Sequence, residues 1–155
     1  MISPELLRRF SFFGLIREQD LYNIAMIAEE VTADAGTVLF EEHQPADALY
    51  LLLDGSIDLY YKSEEEYHPK ARKELLVGEI NPGEIFSISS MLEPYILNAS
   101  ARTAKPSRFI KVDAAALRRL SEENHQMGCV IMREIAKVLM ERLASTRVQL
   151  AAAWA

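Results

Sequence analysis

The apolar residues of this chain change their spacing twice, and those two changes restrict the fold more than any other feature. Up to about residue 30 they recur every third or fourth position, from Val31 they alternate with polar residues, and after Val112 the helical spacing returns. A chain so divided folds as a strand-built core with helices on either side. Ser3, Pro4 and Glu5 are a helix start, with a hydroxyl cap, a fixed φ and a first-turn acid, and that helix is expected to reach about Phe10. Gly14 interrupts, and "REQDLYNIAMIAEE" sets Leu21, Ile24, Ala25 and Ala28 on one face of a second helix.

The alternating stretches are "TVLF", "ALYLLLDGSIDLYY", "KELLVGEI", "ASARTA" and "RFIKV", separated by "DAG", "HQPAD", "DG", "NPGE" and "KPS". Many short strands at even spacing predict a closed or rolled antiparallel barrel. The charged run "SEEEYHPKARK", Ser63 to Lys73, reads as a solvated hairpin tip. Beyond Val112, Asp113 and Ser121 are helix-cap candidates, and the helix expected from Ser121 extends to about Leu150. On a helical projection Met127, Ile131, Met132, Ile135, Ala136, Val138, Leu139 and Leu143 span an arc of about 180°, whereas packing on one core needs a stripe of ~100°. The surplus predicts a second surface, where the same helix of another copy packs symmetrically to give a homodimer.

A length of 155 residues, half of them apolar, suits a single domain, with helices over 1–30, strands over 31–112 and helices over 113–150. The net charge of −6 and the lack of a basic cluster argue against direct nucleic-acid binding. "MISPELLRRF" lacks the apolar run of a signal peptide and no segment approaches the ~20 apolar residues of a membrane span, so a cytoplasmic protein without membrane contact is expected. Cys129 stands alone, which excludes an internal disulfide and a thiolate metal site, and reads as a small apolar residue on a helix. His43, His68 and His125 are far apart and include no His-x-His pair. A barrel metalloenzyme, a nucleophile with an adjacent base and a Gly-rich phosphate loop therefore find no support, and no cofactor is expected.

"AGTVLFEEHQPADALYLLLDGSIDLY", Ala35 to Tyr60, resembles the opening β-roll of the cyclic-nucleotide-binding-domain family, the sensor module of catabolite activator proteins and of cyclic-nucleotide-regulated kinases and channels. Gly36, Ala46, Asp47, Tyr50 and Gly55 match its pattern in type and spacing, while His43 stands where the family usually has glycine. "INPGEIF", Ile80 to Phe86, is similar to the turn before the family's phosphate-binding cassette, and "RFIKVDAAALRRL" resembles its exit strand and helix. The resemblance covers nearly the whole chain and implies an antiparallel β-roll, a jelly-roll-like barrel mainly of β structure, with N-terminal helices and a long C-terminal helix. In transcription factors of the family a helix-turn-helix follows that helix; here only "AAAWA" follows Leu150, so DNA reading by that route is not expected.

In members that bind cyclic nucleotides the cassette reads Phe-Gly-Glu, a short helix, then Arg and two small residues. The resemblance implies that the glutamate accepts from the ribose 2′-hydroxyl and that the arginine pairs with the cyclic phosphate. Laid on this chain, Phe86 matches the aromatic, Ser87 falls on the glycine, Ile88 on the glutamate, Asn98 on the arginine, and Ala99 with Ser100 on the small pair. The stretch from Asn81 to Ala101 contains no lysine, arginine or histidine, so only backbone N–H groups and hydroxyls remain to hold an anion. Ser87, Ser89, Ser90 and Asn98 could still serve an uncharged ligand. Arg102 shares strand parity with Asn98 but stands ~13 Å along the strand. The expectation is a non-enzymatic regulatory or interaction module that does not take cyclic AMP or cyclic GMP in the usual way. The alternative is a sensor that binds one of them by atypical contacts, or another small molecule in the same pocket.

Overall fold

A computed structural model describes residues 1–62 and 74–155, so the hairpin tip expected at Ser63 to Lys73 lies outside the described residues. The chain divides into two compact units, Glu29–Ala114 and, from both ends, Met1–Ala28 with Ala115–Ala155.

The first unit is built from β1 (Ala28–Ala33, from Glu29 in this unit), β2 (Val38–Phe40), β3 (Ala48–Asp54), β4 (Ile57–Lys62), β5 (Glu74–Ile80), β6 (Ile85–Phe86), β7 (Ser100–Thr103) and β8 (Ser107–Asp113). These form two four-stranded sheets, in the orders β1-β8-β3-β6 and β2-β7-β4-β5. The registered pairs are antiparallel, which is the β-roll expected from the sequence. Alternation explains the core: Leu52, Ile57, Leu59, Ile80, Phe86, Ala101 and Phe109 are buried together, with Val31, Leu39, Phe40, Tyr50 and Val77 packed against them. The β3–β4 turn depends on Gly55, whose φ is +107° and whose hydrogen faces Ser107 so closely that an added Cβ would lie 2.1 Å from the hydroxyl oxygen.

The strand region begins earlier than Val31, because Ala28 already opens β1 and does not belong to the preceding helix. The cause is local: the helix closes at Ile27, with φ −104° and ψ 13° and its N–H on the Ile24 carbonyl, and the next residue is extended. β6, only two residues long, has no periodic signature of its own and is identified by its pairing of Tyr50 with Phe86 and Leu51 with Ile85.

The second unit contains α1 (Pro4–Arg8), a 3-10 turn at Ser11–Phe13, α2 (Glu18–Met26), α3 (Ala114–Glu123, from Ala115 in this unit) and α4 (His125–Trp154). Ser3 occupies the cap position of α1, but its hydroxyl donates to the Glu5 carboxylate and caps no backbone N–H. Nor is Ser121 the start of the long helix. It lies inside α3, donating its hydroxyl to the Leu117 carbonyl at 2.9 Å. Asn124 is the break: its Oδ1 accepts from the Met127 N–H at 3.1 Å, and its Nδ2 donates to Asp20 at 2.8 Å. Gly128 permits the close approach at this break, since a Cβ there would come within 2.9 Å of the Ser121 carbonyl oxygen. α4 then runs for 30 residues.

Candidate functional site

The cassette region starts where β6 ends. Ser87 follows Phe86 with φ 63° and ψ 42°, a left-handed conformation, and a 3-10 turn occupies Ile88–Met91. His43 also has positive φ, 71°. Both residues stand where the resemblance puts glycine, so the backbone keeps a conformation that glycine adopts more readily than serine or histidine.

Hydrogen bonds tie the 42–46 turn to the 95–100 segment. His43 N–H donates to the Leu97 carbonyl at 2.8 Å, Leu97 N–H to the Gln44 carbonyl at 2.9 Å, and Ala46 N–H to the Tyr95 carbonyl at 2.8 Å. Pro45 and Ile96 form an isolated bridge beside them. Glu42 N–H donates to the Ser100 hydroxyl oxygen at 2.9 Å, and the Glu42 carboxylate accepts from the Lys62 N–H at 2.8 Å. The Glu42 side chain is 16% exposed. Hydrogen bonding thus ties the start of β7 to an acid. Sequence reasoning missed Glu42, which precedes the turn piece "HQPAD"; nothing in the spacing signals that its backbone N–H would meet Ser100 and its carboxylate the Lys62 N–H.

Of the candidate pocket residues, Phe86, Ser87, Ile88, Ser90 and Ser100 are buried, Ser89 and Ala99 are half-buried, and Asn98 is exposed. Phe86, Ser87, Ile88, Ser89 and Ser90 form one continuous segment through β6 and the 3-10 turn, whereas Asn98, Ala99 and Ser100 belong to the segment tied to Glu42 and Gln44. Ile88, in the place of the ribose-binding acid, is only 5% exposed. A side chain that neither accepts nor donates therefore occupies that position.

Arg102, the one cation with a sequence argument for compensating, already has partners. Its guanidinium carbon lies 4.7 Å from the centroid of the Tyr60 ring, and Nη2 is 3.2 Å from the Glu74 carboxylate. Behind β6 an aromatic cluster supports the segment: Tyr50 stacks on Phe86 at 5.0 Å and on Phe40 at 5.7 Å, and meets Phe109 edge-on at 5.6 Å. Burial, followed by the nearby Asp47 and Glu29 carboxylates, pushes the Tyr50 phenol above its ordinary value. Tyr50 therefore stays neutral.

The candidate association residues on α4 separate into two groups. Met127, Ile131 and Ile135 are buried within the chain and Val138 is half-buried, but Met132, Leu139 and Leu143 are 37%, 45% and 51% exposed. Further along, Met140, Val148, Leu150 and Trp154 are exposed as well. The wide apolar arc thus has a covered side and an open side. Cys129 is exposed, not a packed apolar residue. Among the described residues no three metal-ligating side chains converge, and no helix is long and apolar enough to cross a membrane.

Comparison with known proteins matches residues 30–124 to the cyclic nucleotide-binding domain. A candidate cyclic nucleotide-binding protein of known structure from Geobacter metallireducens is 38% identical, with a TM-score of 0.79 over 92% of this chain and 99% of that one. The CRP-like cAMP-activated global transcriptional regulator of Mycobacterium tuberculosis is 25% identical over 147 residues, 95% of this chain. The match takes in 61% of that regulator, so this chain spans about three-fifths of the length of the curated relatives it matches. The sensor domain of the regulator DNR from Pseudomonas aeruginosa is alike in fold, at 20% identity, a TM-score of 0.72 and 90% coverage of both chains.

Proposed function

Since the chain belongs to the cyclic nucleotide-binding domain family, we propose that it is a non-enzymatic regulatory module whose cassette does not hold cyclic AMP or cyclic GMP in the family's usual way. The observation that carries this reading is Asn98, exposed and uncharged at the arginine position, with the alternative cation Arg102 engaged by Tyr60 and Glu74. A hydrogen bond to a charged group contributes ~1.5–3 kcal/mol, so losing the arginine's two and the glutamate's one weakens binding by about three to six powers of ten. Glu42, hydrogen-bonded to Ser100 through its backbone, adds an acid on the same side of the balance. A thermal-shift titration tests the proposal. Cyclic AMP and cyclic GMP up to millimolar concentration leave the melting temperature unchanged, and a rise of several degrees contradicts it.

The module acts through α4, which pairs with α4 of a second copy. The exposed residues Met132, Ala136, Leu139, Leu143, Thr146, Leu150 and Ala153 follow one another at alternating steps of four and three, the 3.5-residue spacing of a two-stranded coiled coil. Light scattering reads the pairing directly: a dimer at about 100 μM is expected, and a monomer there removes it. No step in this function needs nucleic acid, membrane or catalysis.

One observation favours a second reading, that of a sensor for a different ligand. Ser87 and His43 keep the left-handed backbone that the family's glycines supply, and hydroxyls at Ser87 and Ser89 line the cassette turn. A saturable calorimetric titration with a small metabolite, abolished by Ser89→Leu, supports that reading over a silent cassette.

A further inference from the structure

We infer that the ladder joining the 42–46 turn to the 92–98 segment is a docking surface for another protein, fitted to a chain segment that carries apolar side chains between lysines or arginines. The inference goes beyond the α4 pairing and does not depend on it. Pro45 and Ile96 face each other in the isolated bridge, and the Tyr95 N–H closes a turn on the Leu92 carbonyl at 2.9 Å. Ala46 and Leu97 are buried and anchor the ladder, while Pro45, Leu92, Pro94 and Ile96 stay exposed, Leu92 by 37% and Ile96 by 40%. Tyr95 has positive φ, 60°, as His43 does, so a residue on each side of the bridge holds a strained backbone. The backbone bonds between the two segments fix this apolar surface in shape, which lowers the ordering cost when a partner binds.

Charge selects the partner. Glu41 precedes the turn at one end of the ladder, and Asp47 and Glu93 stand at the other, where Ala46 meets Tyr95. All three acids are exposed, and among the described residues no ion pair holds any of them. The ionisable base of the turn, His43, lies 3.6 Å from the Glu42 carboxylate. No lysine or arginine occurs between Glu29 and Tyr61 or between Asn81 and Ala101, and the unit Glu29–Ala114 holds sixteen acids against eight lysines and arginines. A second copy of the roll would bring acid against acid, whereas a cationic segment finds opposite charge at both ends of an apolar centre. Apolar contacts inside a polar rim are the arrangement of a protein interface.

An arrayed library of synthetic peptides of about nine residues provides the test, with apolar residues at the centre and either lysine and arginine or glutamate on both sides. Its binders are then measured in solution with the full chain by fluorescence anisotropy. Cationic members are expected to bind at least about tenfold more tightly than their acidic counterparts, and to weaken about tenfold between roughly 50 and 500 mM sodium chloride. Asp47→Lys with Glu93→Lys is expected to weaken binding by about 10- to 100-fold, and Ile96→Asp by about tenfold. Glu18→Lys with Glu122→Lys, exposed changes on α2 and α3, is the charge-matched control, and a melting temperature within about two degrees of the parent shows that each variant is folded. No preference for the cationic peptides, or a reversal at Asp47 and Glu93 that acts no more strongly than the control, overturns the inference. A folded Ile96→Asp protein that binds as the parent does reduces the surface to a general acidic one and overturns it too. A chain that stays monomeric removes the α4 pairing and leaves this surface standing, so the two failures are told apart.

Discussion

Two stretches of this chain, Phe86–Ser100 and Ala136–Trp154, differ in which of their side chains are buried. In the first, Phe86, Ile88, Ser90, Met91 and Ser100 are each no more than 5% exposed, whereas in the second Leu143, Val148, Leu150 and Trp154 are each at least half exposed. The first is the segment on which the resemblance lays the family's cassette; its backbone makes internal hydrogen bonds at Ser90, Leu92, Tyr95 and Leu97, and Ile88 stands where the resemblance puts the acid. The second presents apolar side chains to water at a spacing suited to another helix. The contrast teaches that, on the proposed reading, a module can keep the family's architecture while the surface offered to a partner is a helix face and not an anion cradle.

The strongest way to break that contrast is to return the missing charges. Asn98→Arg with Ile88→Glu is expected to raise affinity for cyclic AMP by about three to six powers of ten, as read by calorimetry against the parent chain. Because Ile88 is buried and its replacement could unfold the segment, Asn98→Arg alone serves beside it; the exposed site tolerates the change, and two restored bonds give about two to four powers of ten. A folded Asn98→Arg protein that still ignores the nucleotide shows that more than charge separates this cassette from those of its relatives.

Next in size is the reverse operation on the helix. Leu139→Glu with Leu143→Glu places two acids per chain in the seam. Removing four leucine side chains from the interface, at ~1.5 kcal/mol each, raises the dimer Kd by about four powers of ten. Since both residues are exposed in the single chain, its melting temperature at high dilution is expected to stay within a degree or two of the parent. A large fall at dilution means that the leucines belong to the fold and not to a partner.

Stability separates the two regions more finely. Phe86, fully buried and stacked on Tyr50, is expected to cost about 3–5 kcal/mol on truncation to alanine, whereas Leu143→Ala costs under about 0.5 kcal/mol in the diluted monomer. Urea midpoints for both variants decide the matter, and comparable losses would erase the distinction.

How far this was legible in the sequence follows from the physics of each signal. Alternation and helical spacing reveal the strands and helices because the pattern repeats over many residues, but β6 is two residues long and repeats nothing. The boundary at Ala28 and the cap at Asn124 were misplaced because several residues nearby have similar propensities. At Asn124 the choice is settled by the reach of its side chain to Met127 and to Asp20, a contact across more than a hundred residues. That Ile88 and Asn98 stand where the resemblance puts glutamate and arginine is legible from residue type alone. By contrast, the pairing of Arg102 with Tyr60 and Glu74, the fold-back of Glu42, and the division of the α4 arc into covered and open sides depend on tertiary neighbours that spacing does not encode.

The smallest expected effect bears on why the architecture persists. Ser87 and His43 hold positive φ, a region that costs a residue with a Cβ about 1–2 kcal/mol. Glycine removes that cost but gains freedom in the unfolded chain, so Ser87→Gly and His43→Gly are each expected to stabilise by a net ~0.5–1 kcal/mol. At the Ser87 position the substitution also deletes a buried hydroxyl next to the 3-10 turn, whereas His43 is exposed and donates its backbone N–H to Leu97 whatever its side chain. Urea midpoints that rise for both variants mean that the left-handed turns are imposed by the surrounding sheet and tolerated by these residues. A rise for His43→Gly with a fall for Ser87→Gly assigns the Ser87 side chain a role in the cassette that outweighs its backbone strain. That outcome would shift the weight from a silent cassette toward one kept for a hydroxyl-recognised ligand.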